Sequence, residues 1–269
     1  MQMILKYPGS KWKISPWIVR HIPPHHTYVE PFFGSGAIFF SKESSNIETI
    51  NDMDDNVCNL FSAVRKNPRE LASAIALTPY ARREYDMAFE SANNEVDEIE
   101  KARRFLVKCW QGHGFRTNAY KVGWKNDVQG RESMYAVRSW CHLPDRIMDT
   151  VDRLKRVQIK NRPALEVVKR FSYANAFIYA DPPYLLNTRT AKQYRYEMTE
   201  QDHVDLLKTL LQFPGKVLIS GYKSDLYDTM LKHWHKDSIA GYAEYQGASR
   251  EEVIWMNYDY QAHKQLSLF

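Results

Sequence analysis

Cysteine is scarce in this sequence of 269 residues. Cys58, Cys109 and Cys141 are odd in number, far apart and never arranged as C-x-x-C. Such a set argues against a disulfide framework or a zinc site and fits a reducing compartment. Histidine metal motifs are missing as well, because none of the nine histidines sits in H-E-x-x-H. The nearest approach is His233-Trp234-His235, whose rings, one residue apart on a helix, face different ways and read as surface groups. Long apolar runs are also absent. The longest reach about five residues, against the roughly 20 that span a bilayer. Lys6, Lys11 and Lys13 interrupt the N-terminal stretch before any secretory apolar run develops. There is no internal repeat and no low-complexity segment. The expectation is a soluble, cytoplasmic protein without a metal.

What is present is a chain of 44% hydrophobic and 26% charged residues. That suffices for one large domain, or for a core domain carrying a substantial insertion. The net charge of +5 is unevenly spread. Residues 101–170 hold 17 Lys and Arg against 6 Asp and Glu, a local +11 that leaves −6 for the remainder. The same stretch interleaves Trp110, Phe115, Tyr120, Trp124, Tyr135 and Trp140. A basic, aromatic middle within an acidic body is an electrostatic footprint for a polyanion, and nucleic acid is the expected partner.

Strand and helix signals flank that middle. YVEPFFGSGAIFF (28–40) begins as a short strand and turns through Gly34-Ser35-Gly36; IETIND (47–52) is a second strand ending in acid. Val57, Leu60, Phe61 and Val64 share one face of a helix over 55–64. Asn94 is placed to cap a helix running to about Trp110. QGHGFRTNAYKVGWKNDVQG (111–130) carries four glycines and few aliphatics, the pattern of a presented loop or hairpin. FIYA (177–180) and KVLIS (216–220) are buried strands. Between them Thr199 opens a T-E-Q-D cap for a helix with Val204, Leu207 and Leu211 on one side. EEVIWMNY (251–258) reads as an edge strand. The fold class expected is α/β: an open Rossmann-like sheet, formed by 1–67 and 161–269, with a mainly helical insertion at 68–160. Ligands of such sheets sit outside the carboxyl ends of the strands.

Three stretches converge on that edge. Glu30-Pro31-Phe32-Phe33-Gly34-Ser35-Gly36 follows a strand, and its glycines let backbone approach a ligand closely. Asp52 ends the next strand, where an acid can hydrogen-bond both hydroxyls of a ribose or, alternatively, cap the following helix. The third is Asp181-Pro182-Pro183-Tyr184, directly after a buried strand. Pro182 and Pro183 each fix φ near −65° and remove a backbone donor, so the turn is rigid. It presents the Asp181 carboxylate and the Pro182 carbonyl, two fixed acceptors that match an amino group with two hydrogens to donate. The Tyr184 ring can stack on a flipped base.

These motifs resemble the Dam-like DNA adenine-N6 methyltransferases along nearly the whole chain. Lys6-Tyr7-Pro8-Gly9-Ser10-Lys11 is similar to the family's K-W-x-G-G-K, with Tyr for Trp and Ser for the second Gly. EPFFGSGAIFF resembles the cofactor-binding E-P-F-x-G-x-G, Asp52-Met53-Asp54 stands where the family has D-x-N, and D-P-P-Y matches unchanged. ISGYKSDLY and EEVIWMNY are similar to segments of phage-type members.

The resemblance implies S-adenosyl-L-methionine as cofactor, surrounded by Tyr7, Lys11, Glu30, Phe32, Gly34, Gly36 and Asp52. It implies double-stranded DNA as partner, with Asp181 and Pro182 taking the target amine and Tyr184 stacking on adenine. Arg116, Asn118, Lys121, Lys125 and Asn126 have the chemistry to meet base edges or phosphates. Arg189 and Arg195 lie in a polar loop, 185–198, expected to act as a lid on DNA. The tail Gln265-Leu266-Ser267-Leu268-Phe269 resembles the bacterial sliding-clamp-binding pentapeptide at all five positions, which makes a sliding clamp an expected partner. Competing readings are methylation of cytosine N4 or of an RNA base, or a DNA-binding module without catalysis. Asp at the head of D-P-P-Y favours adenine, and binding alone would need neither that turn nor the glycines.

Overall fold

The computed structural model describes residues 1–90, 96–118, 120–126, 133–189, 191–240 and 251–261. After a short helix, α1 (Ser15–Val19), the first strand β1 (Thr27–Glu30) leads through the glycine turn into α2 (Ala37–Ser41). Strand β2 (Ile47–Asn51) and helix α3 (Asp55–Lys66) follow. Then come α4 (Pro68–Ala76), α5 (Arg82–Phe89), α6 (Glu98–Gln111), α7 (Ser133–Cys141) and α8 (Leu143–Leu154). The chain returns to alternation with β3 (Val157–Lys160), α9 (Ala164–Arg170), β4 (Ala176–Ala180) and α10 (Glu200–Leu211). It finishes with β5 (Lys216–Tyr222), α11 (Asp225–Met230), β6 (His235–Ala240) and β7 (Glu251–Met256).

The strands form one seven-stranded mixed sheet in the order β3-β2-β1-β4-β5-β7-β6. β1 pairs in parallel with β2 on one side and β4 on the other, and the outer β3 and β5 continue the parallel pattern. From β1 the chain builds outward to β2 and β3, then crosses back to β4 and β5. The order therefore reverses between β1 and β4, which opens a crevice at their carboxyl ends. β3 is the outer strand beside β2, although Val157–Lys160 lies inside the stretch 68–160.

Alternation along the strands puts different residues on the two faces. Tyr28, Phe177, Tyr179, Leu218 and Ile254 pack with Val57, Leu60, Phe61 and Val64 of α3 and with Phe39 of α2. Val29, Ile178, Val217, Ile219 and Trp255 pack with Val167 and Val168 of α9 and with Leu206, Leu207 and Leu210 of α10. Each large apolar side chain buried in this way contributes roughly 1.5–3 kcal/mol. The four α3 positions share a face because they follow the helical period, and the capping box at Thr199 and Asp202 starts α10 where the T-E-Q-D signal placed it.

Three local expectations are corrected. The helix ending near Trp110 is capped by Asp97, whose side chain accepts from Glu100 N, so it begins later than Asn94, itself outside the described residues. Glu251–Met256 is an inner strand, hydrogen-bonded to β5 on one side and β6 on the other. The edge is β6, whose HKDSIA sequence is largely exposed and carries too little apolar alternation to read as a strand. His235 opens that strand rather than lying on a helix, and both it and His233 are exposed.

Candidate active site

The crevice at the β1–β4 switch is a cleft of about 320 Å³. Glu30 is the last residue of β1 and lies buried in the cleft wall, where its carboxylate accepts from the Tyr28 hydroxyl at 2.6 Å. Burial in this apolar setting pushes its carboxyl well above the usual range. Beyond Pro31, the turn at Gly34-Ser35-Gly36 needs two positive φ values, +49° at Gly34 and +68° at Gly36. Gly34 lines the cleft under the Tyr7 ring, where an added Cβ would sit 3.0 Å from that ring. Gly36 is not part of the lining. It starts α2 in a left-handed conformation, and an added Cβ would meet the Phe33 ring at 2.4 Å. Its glycine is required by the wall behind the cleft.

Asp52 follows β2 and joins the glycine turn to α3. Its Oδ2 accepts from Gly34 N at 2.8 Å and its Oδ1 from Asp54 N at 2.9 Å. Burial outweighs these two bonds and lifts its pKa to about 7. The capping role open to Asp52 falls instead to Asp54, which accepts from Asn56 N at 3.1 Å. Asn51, just before it, staples the loops behind the site: its amide donates to the carbonyls of Pro31 and Arg162 and its oxygen accepts from Arg162 N.

Asp181 follows β4 at the other side of the crevice. Its Oδ1 receives Lys11 Nζ at 3.1 Å and the Ser220 hydroxyl of β5 at 2.8 Å. Lys11 is buried and also donates to Gly9 O at 2.7 Å. Burial alone would lower its pKa, but Asp181 and Glu252 outweigh it and keep the ammonium charged. That ammonium lies 4.6 Å from the centre of the Tyr184 ring. Tyr184 itself is only 8% exposed, and its hydroxyl donates to Glu252 Oε2 at 2.8 Å. The cleft lining includes Asp181 and Pro183 but neither Pro182 nor Tyr184.

Tyr7, Lys11, Glu30, Phe32, Gly34, Asp52, Asp181 and Pro183 thus line one cleft, although they come from four separate stretches of chain. A family model for D12 class N6 adenine-specific DNA methyltransferases matches residues 7–248, which span all of them. The chain belongs to this family. It is similar to the type II methyltransferase M1.LlaDCHI of Lactococcus lactis subsp. cremoris, at 24% identity over 94% of each chain. It is also similar to the type II methyltransferase M.MjaIII of Methanocaldococcus jannaschii, at 27% identity over 76% of this chain and 77% of that one. The DNA adenine methylase of Escherichia coli K12 is 24% identical over 86% of this chain and 83% of its own. Adenine-specific methyl transfer to DNA is the activity of the family, and it implies S-adenosylmethionine as methyl donor.

Around the methyltransferase cleft stand residues that local sequence patterns did not single out. Tyr179, Tyr194, Leu165 and Met198 are among the further lining residues. Tyr194 belongs to the loop after D-P-P-Y, and its hydroxyl donates to Pro8 O at 3.1 Å, closing the loop over Gly9. Ser220 and Glu252 reach the turn from neighbouring strands. Among the described residues no group of His, Cys, Asp and Glu could hold a metal ion, and no helix is long and apolar enough to cross a membrane.

The candidate DNA contacts divide. The 111–125 stretch is a hairpin: Gly112 bridges Trp124, Lys125 N donates to Gln111 O and His113 N to Gly123 O. Arg116 lies over the Tyr120 ring, Lys121 is exposed and pairs with Asp86, Lys125 is half-buried and Asn126 is exposed. Asn118 donates to Lys192 O, and Arg195, 46% exposed, pairs with Asp55 at 2.6 Å. Arg189 is different. Its side chain is buried, donates to Tyr184 O and pairs with Glu197, so its charge braces the loop. The tail 265–269 lies outside the described residues.

Proposed function

We propose that the chain methylates the exocyclic amine of an adenine flipped out of duplex DNA at a specific site, with Asp181 and Pro182 as the amine's acceptors. The observation that carries this is the rigid Asp181-Pro182-Pro183-Tyr184 turn at the carboxyl edge of β4, beside a cleft walled by Glu30, Gly34 and Asp52. Both described contacts to Asp181 fall on Oδ1, which leaves Oδ2 to the incoming N–H. The Pro182 carbonyl takes the second N–H, and two such bonds draw the nitrogen lone pair out of conjugation toward the cleft. Tyr184 supplies the surface on which the flipped base stacks.

The residues present fit a cationic nucleoside donor. Asp52 offers carboxylate oxygens at the end of β2 for ribose hydroxyls, while Phe32, Leu165 and the Tyr7 ring give apolar surface. Glu30 and Asp181 add acidic groups facing the same space. When bound, S-adenosylmethionine supplies a methyl group already activated by the positive sulfonium. What the chain contributes is orientation, and positioning of this kind is worth several kcal/mol of barrier.

Residues 68–160, with the hairpin as their presented element, serve target recognition through Arg116, Asn118, Lys121, Lys125 and Asn126, with Arg195 added from the loop over the cleft. The tail Gln265–Phe269 docks on a sliding clamp, which loss of measured clamp binding on deleting 265–269 would support. Replacing Asp181 with Ala is expected to cut methyl transfer to duplex DNA by about three orders of magnitude, roughly 4 kcal/mol, while cofactor binding persists. Transfer of labelled methyl groups, followed by digestion to nucleosides, identifies the product. Appreciable activity in that variant, or label in cytosine, would overturn the assignment.

A further inference from the structure

Tyr184 is held by groups outside the D-P-P-Y turn. Its hydroxyl donates to Glu252 Oε2 at 2.8 Å. Its ring stands at 72° to the Tyr222 ring, with centroids 4.6 Å apart. Tyr222 and Glu252 are directly paired across β5 and β7, and residues so paired point to the same face of a sheet. The antiparallel pair therefore presents an aromatic edge and a carboxylate side by side, and these grip Tyr184 at its ring and at its hydroxyl. A tyrosine ring turns about two side-chain torsions: the hydroxyl oxygen lies on the ring's own axis, so its bond to Glu252 fixes where that axis points, and the Tyr222 ring packed against it limits rotation of the plane about the axis. Glu252 is not part of the cleft lining.

We infer that Glu252 is a positioning residue for methyl transfer, holding through its hydrogen bond the place of the ring on which the target adenine stacks. This rests on the reading of Tyr184 as the stacking ring. The carboxylate also contributes to holding Lys11 charged, so charge and hydrogen bond must be separated in the test. Glu252→Gln keeps an oxygen that can accept from the hydroxyl and removes the charge. Glu252→Leu removes both. Tyr184→Phe keeps the ring and removes only the donor.

Once the methylated site has been mapped, 2-aminopurine at the target position reports stacking by its fluorescence, alongside kcat, DNA KM and cofactor Kd for the full chain. Glu252→Leu and Tyr184→Phe are expected to lower kcat by about tenfold each, the size of one lost hydrogen bond, with cofactor Kd unchanged and altered 2-aminopurine fluorescence. The double variant is expected to be no worse than either single one. Glu252→Gln is expected to stay within about threefold of the parent, by the same conversion. The inference is overturned if Tyr184→Phe behaves as the parent, if the two losses multiply, or if Glu252→Gln falls as far as Glu252→Leu. Should Glu252→Leu fail to fold, Tyr184→Phe and Glu252→Gln decide the matter between them. If Tyr184→Ala leaves both kcat and 2-aminopurine fluorescence at the parent level, the stacking role of Tyr184 itself is wrong, which is a separate failure.

Discussion

Asp52 carries two demands on one carboxylate. It must accept hydroxyl hydrogen bonds in its proposed role, which requires the charged form, while its burial favours the neutral one and places its pKa at about 7. Ligand binding that selects the carboxylate must then strengthen as pH rises through 7. Below that point each pH unit costs about 1.4 kcal/mol, a tenfold rise in Kd. Titrating S-adenosylhomocysteine binding from pH 5.5 to 8.5 is expected to show this slope, and Asp52→Asn is expected to flatten it and weaken binding at pH 8. A parent protein whose Kd is constant across that range would remove Asp52 from the binding set. The acids at the site were legible because each ends or follows a strand, and strand ends define the ligand edge of such sheets. Ser220, Asn51 and Glu252 were not, since each acts on a partner distant in sequence: 39 residues from Ser220 to Asp181 and 68 from Tyr184 to Glu252. No local pattern encodes a contact of that range.

Elements were easiest to read where periodicity and capping agreed, as in α3 and α10, and hardest where the strand is exposed, as in β6. The cap of α3 shows how a family departure can be absorbed. Asp54 stands where the resembled family has Asn, and the structure uses it to accept from Asn56 N. Asn and Asp cap helices about equally well, and either to Ala costs about 1 kcal/mol. Asp54→Asn is therefore expected to leave urea-unfolding stability nearly unchanged, with Asp54→Ala lower by about 1 kcal/mol. A second pair of elements is joined less visibly. The hairpin and the loop over the cleft meet at Thr117, whose N donates to Gln193 O at 2.8 Å and whose hydroxyl accepts from Arg195 N at 2.7 Å. Thr117→Val removes the hydroxyl at nearly constant shape. Loss of that bond, worth about 1 kcal/mol, is expected to raise proteolytic cleavage within 185–198 and to increase DNA KM several-fold. Unchanged cleavage would show that the Thr117 hydroxyl bond does not hold the loop, leaving that work to Thr117 N and Asn118.

On the scale of the whole molecule the charge is segregated rather than large, with +11 in residues 101–170 of a chain whose net charge is +5. The composition made that segregation plain, but it could not say which cations are committed internally. The fold assigns several of them: Arg103 pairs with Glu84 and Glu100, and Arg153 with Glu48. These charges hold helices together or anchor α8 to β2, and they contribute little to a DNA footprint. On the hairpin Arg116 is half-buried over the Tyr120 ring, and Lys121 is exposed in a pair with Asp86 that a phosphate can replace at small cost. Duplex binding releases counterions in proportion to the phosphates neutralised, about 0.9 in the slope of log K against log salt for each. Replacing both Arg116 and Lys121 with Gln is expected to reduce that slope by about two. Single-turnover methyl transfer at saturating DNA should persist, because neither side chain lines the cleft. Fluorescence anisotropy between 50 and 300 mM salt measures the slope, and an unchanged value would move the phosphate contacts away from the hairpin.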